Sequence, residues 1–422
     1  MNIPSTLKDK QLQKKLILCG AFLFFIIKTI YQISTVSWEL AAPGASLYLL
    51  DYNFYYGTRT FIGSLIRLLT YNITYQQIFV LNLCVYIITA VLFFALALRT
   101  LKKAHSENND ILFFAFLITL VYPYGLIEYA NWIGLYEIYL FLFSVLCCFA
   151  ANKKHLYWIC PFLCTAGIFT HISFAVTYFP AVMCIQFYYI LTENKKAERI
   201  ACFATTAAAT VISAVWCVFF ADGTIKMTRD ELFSYMTSRL GMPVSNKIYF
   251  DTYYFTNDAA STTLSLIKSI VNTNFVLCFV FVLLPLLVLF LAVWIPFIKN
   301  GTMAHKTAGT AFIGTMLVSI AVAFIFNEFP RWFTAAALSQ FLILFSLIRK
   351  EDEHLLSILR TFNGDMGQKK RGKKYAQMQK SINKRKTLLL ILLVYFMIAA
   401  LAVQPFYGYD PVSFLQQNSG WN

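Results

Sequence analysis

The sequence predicts an all-α fold, a polytopic transmembrane helical bundle of about eleven spans with long external loops at about 36–74 and 221–272. Three observations carry this. Of 422 residues, 59% are hydrophobic and only 13% charged; the mean hydropathy is +0.63, far too apolar for a soluble chain of this length. Apolar runs recur at the length of about 20 residues that a membrane span needs. The surplus of basic residues, net charge +15, falls in the short turns between the runs and so reports topology and not a polyanionic partner.

Taking the elements in order, the cluster Lys8 to Lys15 precedes an apolar run from Leu16 to Ile33. No small-residue cleavage site follows it, so the sequence reads as a retained first helix and not a signal peptide. Spans are expected near 16–35, 75–98, 111–126, 130–151, 157–172, 174–191, 200–220, 274–298, 307–326, 332–348 and 387–404. Turns such as Arg99 to Lys103, Asn152 to His155 and Asn194 to Arg199 then share one side. The positive-inside tendency makes that side cytoplasmic, with the N-terminus inside and the C-terminal tail outside. External basic residues are confined to Arg59, Arg67, Lys226, Arg229, Arg239, Lys247, Lys268 and Arg331, and Lys28 lies within the first span.

Two of these spans rest on one argument. Residues 157–191 lie between two basic turns that share a side, so the segment crosses twice or dips in and returns. The reading is two short helices meeting at His171 to Ser173, with Pro180 loosening the second.

Loops of the length of the two external ones are usually functional. Within the first, Phe61 to Leu69 has the spacing of a short interfacial helix. Within the second, Asp230 to Arg239 reads as another, with its acids at the N-terminal end. The chain divides into a module at 1–298 holding both loops and a C-terminal part at 299–422, whose basic loop at 349–386 is suited to anionic lipid. Ten cysteines lie within or at the ends of apolar runs and show neither a disulfide framework nor zinc spacing.

Ionisable residues near the outer mouth of a bundle are costly and so are functional candidates. The first loop offers Trp38 and Glu39, then the run Asp51 to Arg59, where a carboxylate lies among aromatics eight residues before an arginine. That arrangement suits deprotonation of an acceptor hydroxyl beside an anionic leaving group; the alternative is an ordinary loop ion pair. Glu128 and Glu137 flank Trp132, and Glu137, about two turns inside its span, needs a partner or a wet cavity. His171 is either a satisfied polar group at a helix break or a phosphate contact. Arg331 at an outer helix mouth suits bidentate grip of a phosphate, or pairing with Glu328.

The order of a first span, a long external loop with acids and an interfacial helix, six further spans and a second long loop resembles the type C glycosyltransferase superfamily over roughly the first 300 residues. The run from Asp51 through Gly63 is also similar to uncharacterised membrane proteins of bacterial surface-polysaccharide clusters. The resemblance implies transfer of a sugar from a polyprenyl-phosphate donor to a glycan, lipid or protein acceptor at the outer face of a bacterial plasma membrane. It implies Glu39 or Asp51 as the base, although the two are twelve residues apart and not a paired-acid signature. Arg59, Arg331 and His171 would neutralise the leaving lipid phosphate, and Trp38, Tyr52, Glu128, Trp132 and Glu137 would contact substrate. No cofactor is expected if the arginines suffice, a divalent cation being the alternative, and no nucleic acid partner is expected. A repeat-unit polymerase of surface polysaccharide is the second enzymatic reading. A lipid-linked glycan transporter or flippase is the rival from another class; against it, the charges gather at one face and no internal repeat is evident.

Overall fold

The computed structural model describes residues 5–35, 48–106, 109–131, 133–153, 155–193, 196–241, 273–323, 329–363 and 373–402. Among these no strand occurs, and the chain is a bundle of α-helices. Helix α1 is Ser5–Thr35, α2 Phe61–Leu69, α3 Tyr75–Ser106, α4 Asp110–Val121, α5 Leu126–Asn131 and α6 Glu137–Ala151. Then come α7 Cys160–Thr170, α8 Phe179–Thr192, α9 Lys196–Phe219 and α10 Arg229–Leu240. The last group is α11 Thr273–Cys278, α12 Leu284–Asn300, α13 Met303–Ala323, α14 Phe329–Arg349, α15 Glu353–Asn363 and α16 Lys373–Ala402.

Among the described residues eight stretches are long and apolar enough to cross a membrane: Gln11–Ser34, Tyr75–Ser106, Asp110–Asn131, Ile172–Thr192, Lys196–Phe219, Phe275–Asn300, Met303–Ala323 and Phe329–Arg349. Three shorter apolar helices, Glu137–Ala151, Leu156–Thr170 and Thr387–Leu401, occupy the other expected positions. The chain therefore has the make-up of a multi-pass membrane protein. Helix α14 lies at the centre. Its sequence is apolar or small around nearly its whole circumference, as a helix buried on all sides requires, and it packs on α3, α6, α8 and α13. Helix α9 is the opposite case, with Val211, Ile212, Val218 and Phe219 turned outward.

The helices expected at 111–126 and 130–151 are each interrupted. Pro123, after Tyr122 closes α4, supplies no N–H to continue the helix. Helix α5 then ends at Asn131, and Gly134 takes a positive φ of 101°, open to a residue without Cβ. A new helix starts at Glu137, which therefore sits in the first turn of α6 and not two turns inside a longer one.

Residues 156–192 run out and back. At one end, Tyr157 donates to Glu198 at 2.7 Å and the Arg199 guanidinium lies 4.1 Å from the Tyr157 ring and 5.4 Å from Tyr189. Arg199 also reaches the Ala151 carbonyl and Glu193, each at 2.9 Å. At the other end, Thr58 Oγ1 donates to the Ile168 carbonyl at 3.3 Å and accepts from Ile172 N–H at 3.1 Å. The start of α7 and the end of α8 are thus neighbours, and the turn between them is at His171, whose backbone is extended (φ −164°, ψ 133°). Pro180 lies in the first turn of α8, where its missing N–H costs nothing, and so starts that helix instead of loosening it.

These contacts define two ends of the bundle. The basic end gathers Arg99 with Glu351 at 3.2 Å and Lys350 with Glu193 at 3.6 Å. The loop end carries α2 and α10, both at the expected places. Helix α10 opens with a capping box between Thr228 and Glu231 and closes on Gly241 at φ 73°. The basic stretch after Arg349 is helical at α15 and again from Lys373.

Candidate functional site at the loop end

Two polar constellations meet at the loop end. The first is built on Asp51, which is 1% exposed. Its Oδ1 accepts the Asn53 N–H at 2.8 Å, a local turn that a short carboxylate favours. Its Oδ2 accepts from the Tyr235 hydroxyl at 2.6 Å and from Arg239 Nη1 at 3.2 Å, and Arg67 Nη1 stands 3.7 Å away. Arg239 is fully buried and also donates to the carbonyls of Leu49 at 2.6 Å and Tyr71 at 3.2 Å. Burial followed by the bond to Asp51 raises the Tyr235 hydroxyl above its ordinary pKa. Asp51 therefore clamps the first loop to α10, and Arg59 is not among its partners.

The second constellation is built on His171. Between Asp51 and α2 the chain winds tightly: Thr60 Oγ1 donates to the Gly57 carbonyl at 2.6 Å and Ser64 Oγ to the Thr60 carbonyl at 2.7 Å. Arg59 takes φ 71° there, a conformation that costs a residue with a Cβ about 1–2 kcal/mol. Its Nη2 lies 3.1 Å from His171 Nε2. A guanidinium only donates, so Nε2 bears a lone pair; Nδ1 lies 2.7 Å from Ser173 Oγ and 3.1 Å from the Ser173 backbone nitrogen. The ring is neutral in this arrangement. It stacks on Tyr136, with centroids 3.5 Å apart and planes at 8°.

From the other side Arg331 at the start of α14 donates to the Tyr136 hydroxyl, pairs with Glu137 and lies 4.9 Å from the Tyr136 ring. Two guanidinium groups thus bracket one stacked His/Tyr pair. Beside it Tyr48, Arg59, Ile62, Tyr136, Tyr139 and Thr170 line a cavity of about 10 Å³, room for roughly one water.

Of the sequence candidates, Arg59, His171, Arg331 and Glu137 come together. Glu128 is buried beside α1: it accepts from Asn131 Nδ2 at 3.1 Å and acts electrostatically on Lys28 of the first helix. Tyr52 donates its N–H to Ser64 Oγ at 3.0 Å and stacks on Tyr56 at 5.5 Å; burial pushes its hydroxyl up to about 12. Trp38, Glu39, Trp132 and Glu328 lie outside the described residues.

The site also includes Tyr48, Tyr136, Tyr139, Arg67, Tyr235 and Arg239, none of which the sequence singled out for it. Arg239 had a signal. With Leu232, Met236 and Leu240 it falls on one face of α10, all four buried, and a charge on an apolar stripe needs a partner. Among the described residues no group of three or more His, Cys, Asp or Glu side chains is arranged to hold a metal ion, and all ten cysteines are free. Comparison of the chain with protein-family models, with curated proteins and with solved structures finds no match.

Proposed function

We propose that the chain is a membrane glycosyltransferase that moves a sugar from a polyprenyl-phosphate donor to an acceptor at the loop end. The observation that carries the reading is the approach of Arg59 and Arg331 from two elements to the His171–Tyr136 stack. Guanidinium groups match phosphate oxygens, and charge developing on a leaving phosphate is where fixed cations act most strongly. In this scheme a carboxylate takes the acceptor hydroxyl proton while that oxygen attacks the anomeric carbon. The carbon–oxygen bond to phosphate breaks, and polyprenyl phosphate leaves into the field of the two arginines.

Both oxygens of Asp51 are engaged by Asn53, Tyr235 and Arg239, which makes it a positioning residue in this scheme and leaves Glu39 as the base. The proposal includes eleven crossings, the basic end in the cytoplasm and the loop end outside, in the plasma membrane of a bacterium, with surface-polysaccharide assembly as the setting.

The test uses the purified chain in lipid nanodiscs with a polyprenyl-phosphate hexose and oligosaccharide acceptors, following release of polyprenyl phosphate. Arg59→Ala and Arg331→Ala are expected to lower kcat/KM by about 100-fold or more each, and Glu39→Gln to abolish turnover while the protein stays folded. Turnover that survives all three substitutions overturns the reading. Chain growth from a pyrophosphate-linked repeat unit supports the polymerase instead, and transbilayer movement without bond cleavage the transporter.

A further inference from the structure

The surface of the loop end holds a second feature that the reaction scheme does not use. Lys226 Nζ lies 4.4 Å from the Tyr56 ring, and Tyr56 stacks on Tyr52 at 5.5 Å. Asn53 follows in sequence and its Nδ2 donates to the Tyr235 hydroxyl at 3.4 Å. Arg67 also donates to that hydroxyl, and its guanidinium lies 4.9 Å from the Tyr71 ring. The result is one connected strip drawn from both loops, with a cation at each end and aromatic rings and an amide between.

We propose that this strip binds an acidic glycan, a chain of sugar rings bearing carboxylates, as the acceptor. In naming the acceptor it rests on the transferase reading. Three observations select this occupant. The rings are open, with Tyr56 46% and Tyr71 44% exposed, and an exposed aromatic face is an apolar plate of the size of a pyranose ring with a polar hydroxyl at its edge. The cations are in surplus. Among the described residues no carboxylate pairs with Lys226, whose ammonium reaches only the Tyr56 ring and, at 3.4 Å, the Tyr52 carbonyl. Arg67 shares Asp51 with the closer Arg239, so that group of three carries a net positive charge.

The third observation separates the strip from the part that faces lipid. On α2 and at the end of α9, Leu65, Leu68, Leu69, Phe219 and Phe220 are exposed and wholly apolar, as hydrocarbon contact requires. The strip alternates charge, hydroxyl and amide instead. Among the described residues Asp222, Asp230 and Glu231 are the exposed acids of the second loop, and Asp230 and Glu231 stand in the first turn of α10, where Glu231 is taken up by the Thr228 capping box.

The experiment measures binding without any donor, so it is independent of turnover. The chain in nanodiscs of neutral lipid is titrated with an oligogalacturonate and with its methyl ester, which keeps the rings and removes the charge. The acid is expected to bind at least about tenfold more tightly than the ester, the worth of one charge-assisted hydrogen bond. Lys226→Glu is expected to lose about the same factor for the acid only, Lys226→Arg to retain it, and Tyr56→Ala to weaken acid and ester alike. Both positions are exposed, and an unchanged melting temperature establishes that the variants are folded.

Equal binding of acid and ester, or of wild type and Lys226→Glu, overturns the proposal. So does loss of acid binding in nanodiscs of anionic lipid, which makes the strip a headgroup site. Acid binding by a chain that turns over no donor removes the transferase reading and leaves a glycan-binding strip; turnover without acid binding does the reverse.

Discussion

Arg239→Met removes the guanidinium that joins the two loops. Arg239 is 0% exposed and donates to Asp51 Oδ2 at 3.2 Å and to the carbonyls of Leu49 and Tyr71. Removing one partner of a buried ion pair costs about 3–5 kcal/mol because the other charge is left behind. Asp51 keeps Tyr235 at 2.6 Å and Arg67 at 3.7 Å, which places the loss at the low end, about 3 kcal/mol. The loss is local: it loosens the docking of residues 48–60 on α10, and the bundle below is unaffected. At about 1.4 kcal/mol per tenfold, amide exchange in 49–54 and 229–240 accelerates by about two orders of magnitude. Hydrogen exchange read by mass spectrometry measures this directly. The double variant Asp51→Leu with Arg239→Met removes both charges and is expected to recover most of the protection, since an apolar pair of similar size is often as stable as a buried ion pair. Exchange unchanged in Arg239→Met, or a double variant that loses the sum of the two single losses, refutes the clamp.

Three further outcomes follow from the same geometry. The Tyr235 hydroxyl is held above its ordinary value of 10.0 by burial and by Asp51, so the docked form keeps a proton that the undocked form gives up. Its contribution is therefore full below about pH 10 and falls as the pH rises beyond it; exchange of α10 measured across that range shows the decline in wild type and not in Tyr235→Phe. Gly63 packs against the first loop so closely that an added Cβ would stand 1.7 Å from the Leu50 carbonyl oxygen, so Gly63→Ala is expected to cost about 3 kcal/mol of α2 docking, read as protease cleavage between 48 and 69. Arg331→Ala leaves Glu137 buried without its cation and is expected to lower thermal stability in detergent by about 3 kcal/mol; Arg331→Ala with Glu137→Ala recovers part of it, and additive losses would show that the pair is not coupled.

The parts of this fold that were legible in the sequence are those set by local pattern. Phe61 to Leu69 is helical as its spacing predicts, and its three sides explain why: Ile62 and Ile66 pack inward, Leu68 and Leu69 face outward, and Ser64 and Arg67 turn to Tyr52 and Tyr235. The turn at His171 was legible because two basic turns, Asn152 to His155 and Asn194 to Arg199, had to share an end. Arg199, touching Ala151, Tyr157, Tyr189 and Glu193, is the physical form of that argument. The depth of Glu137 was misjudged because Gly134, which lies in the break between α5 and α6, is a weak signal inside an apolar run.

What the sequence left open is which cation each acid meets. Asp51 and Arg59 are eight residues apart and look like partners, yet the partner of Asp51 on α10 is Arg239, far along the chain, and Arg59 turns to His171. Sequence separation cannot rank these pairings, because the choice follows from how the two loops fold over one another. Burial can rank them. A charge that sits on the apolar stripe of a helix, as Arg239 does with Leu232, Met236 and Leu240, leaves water only for a partner equally buried, and Asp51 is the carboxylate of the loop end that meets it. Arg59 and Arg331 differ in kind: they come from separate elements and converge on a neutral ring pair beside a cavity. Arg239 meets its carboxylate across the two loops and holds them together; Arg59 meets the neutral ring, Arg331 meets both the stack and Glu137, and in the proposed scheme this convergence from two elements is what faces an anion that arrives from outside.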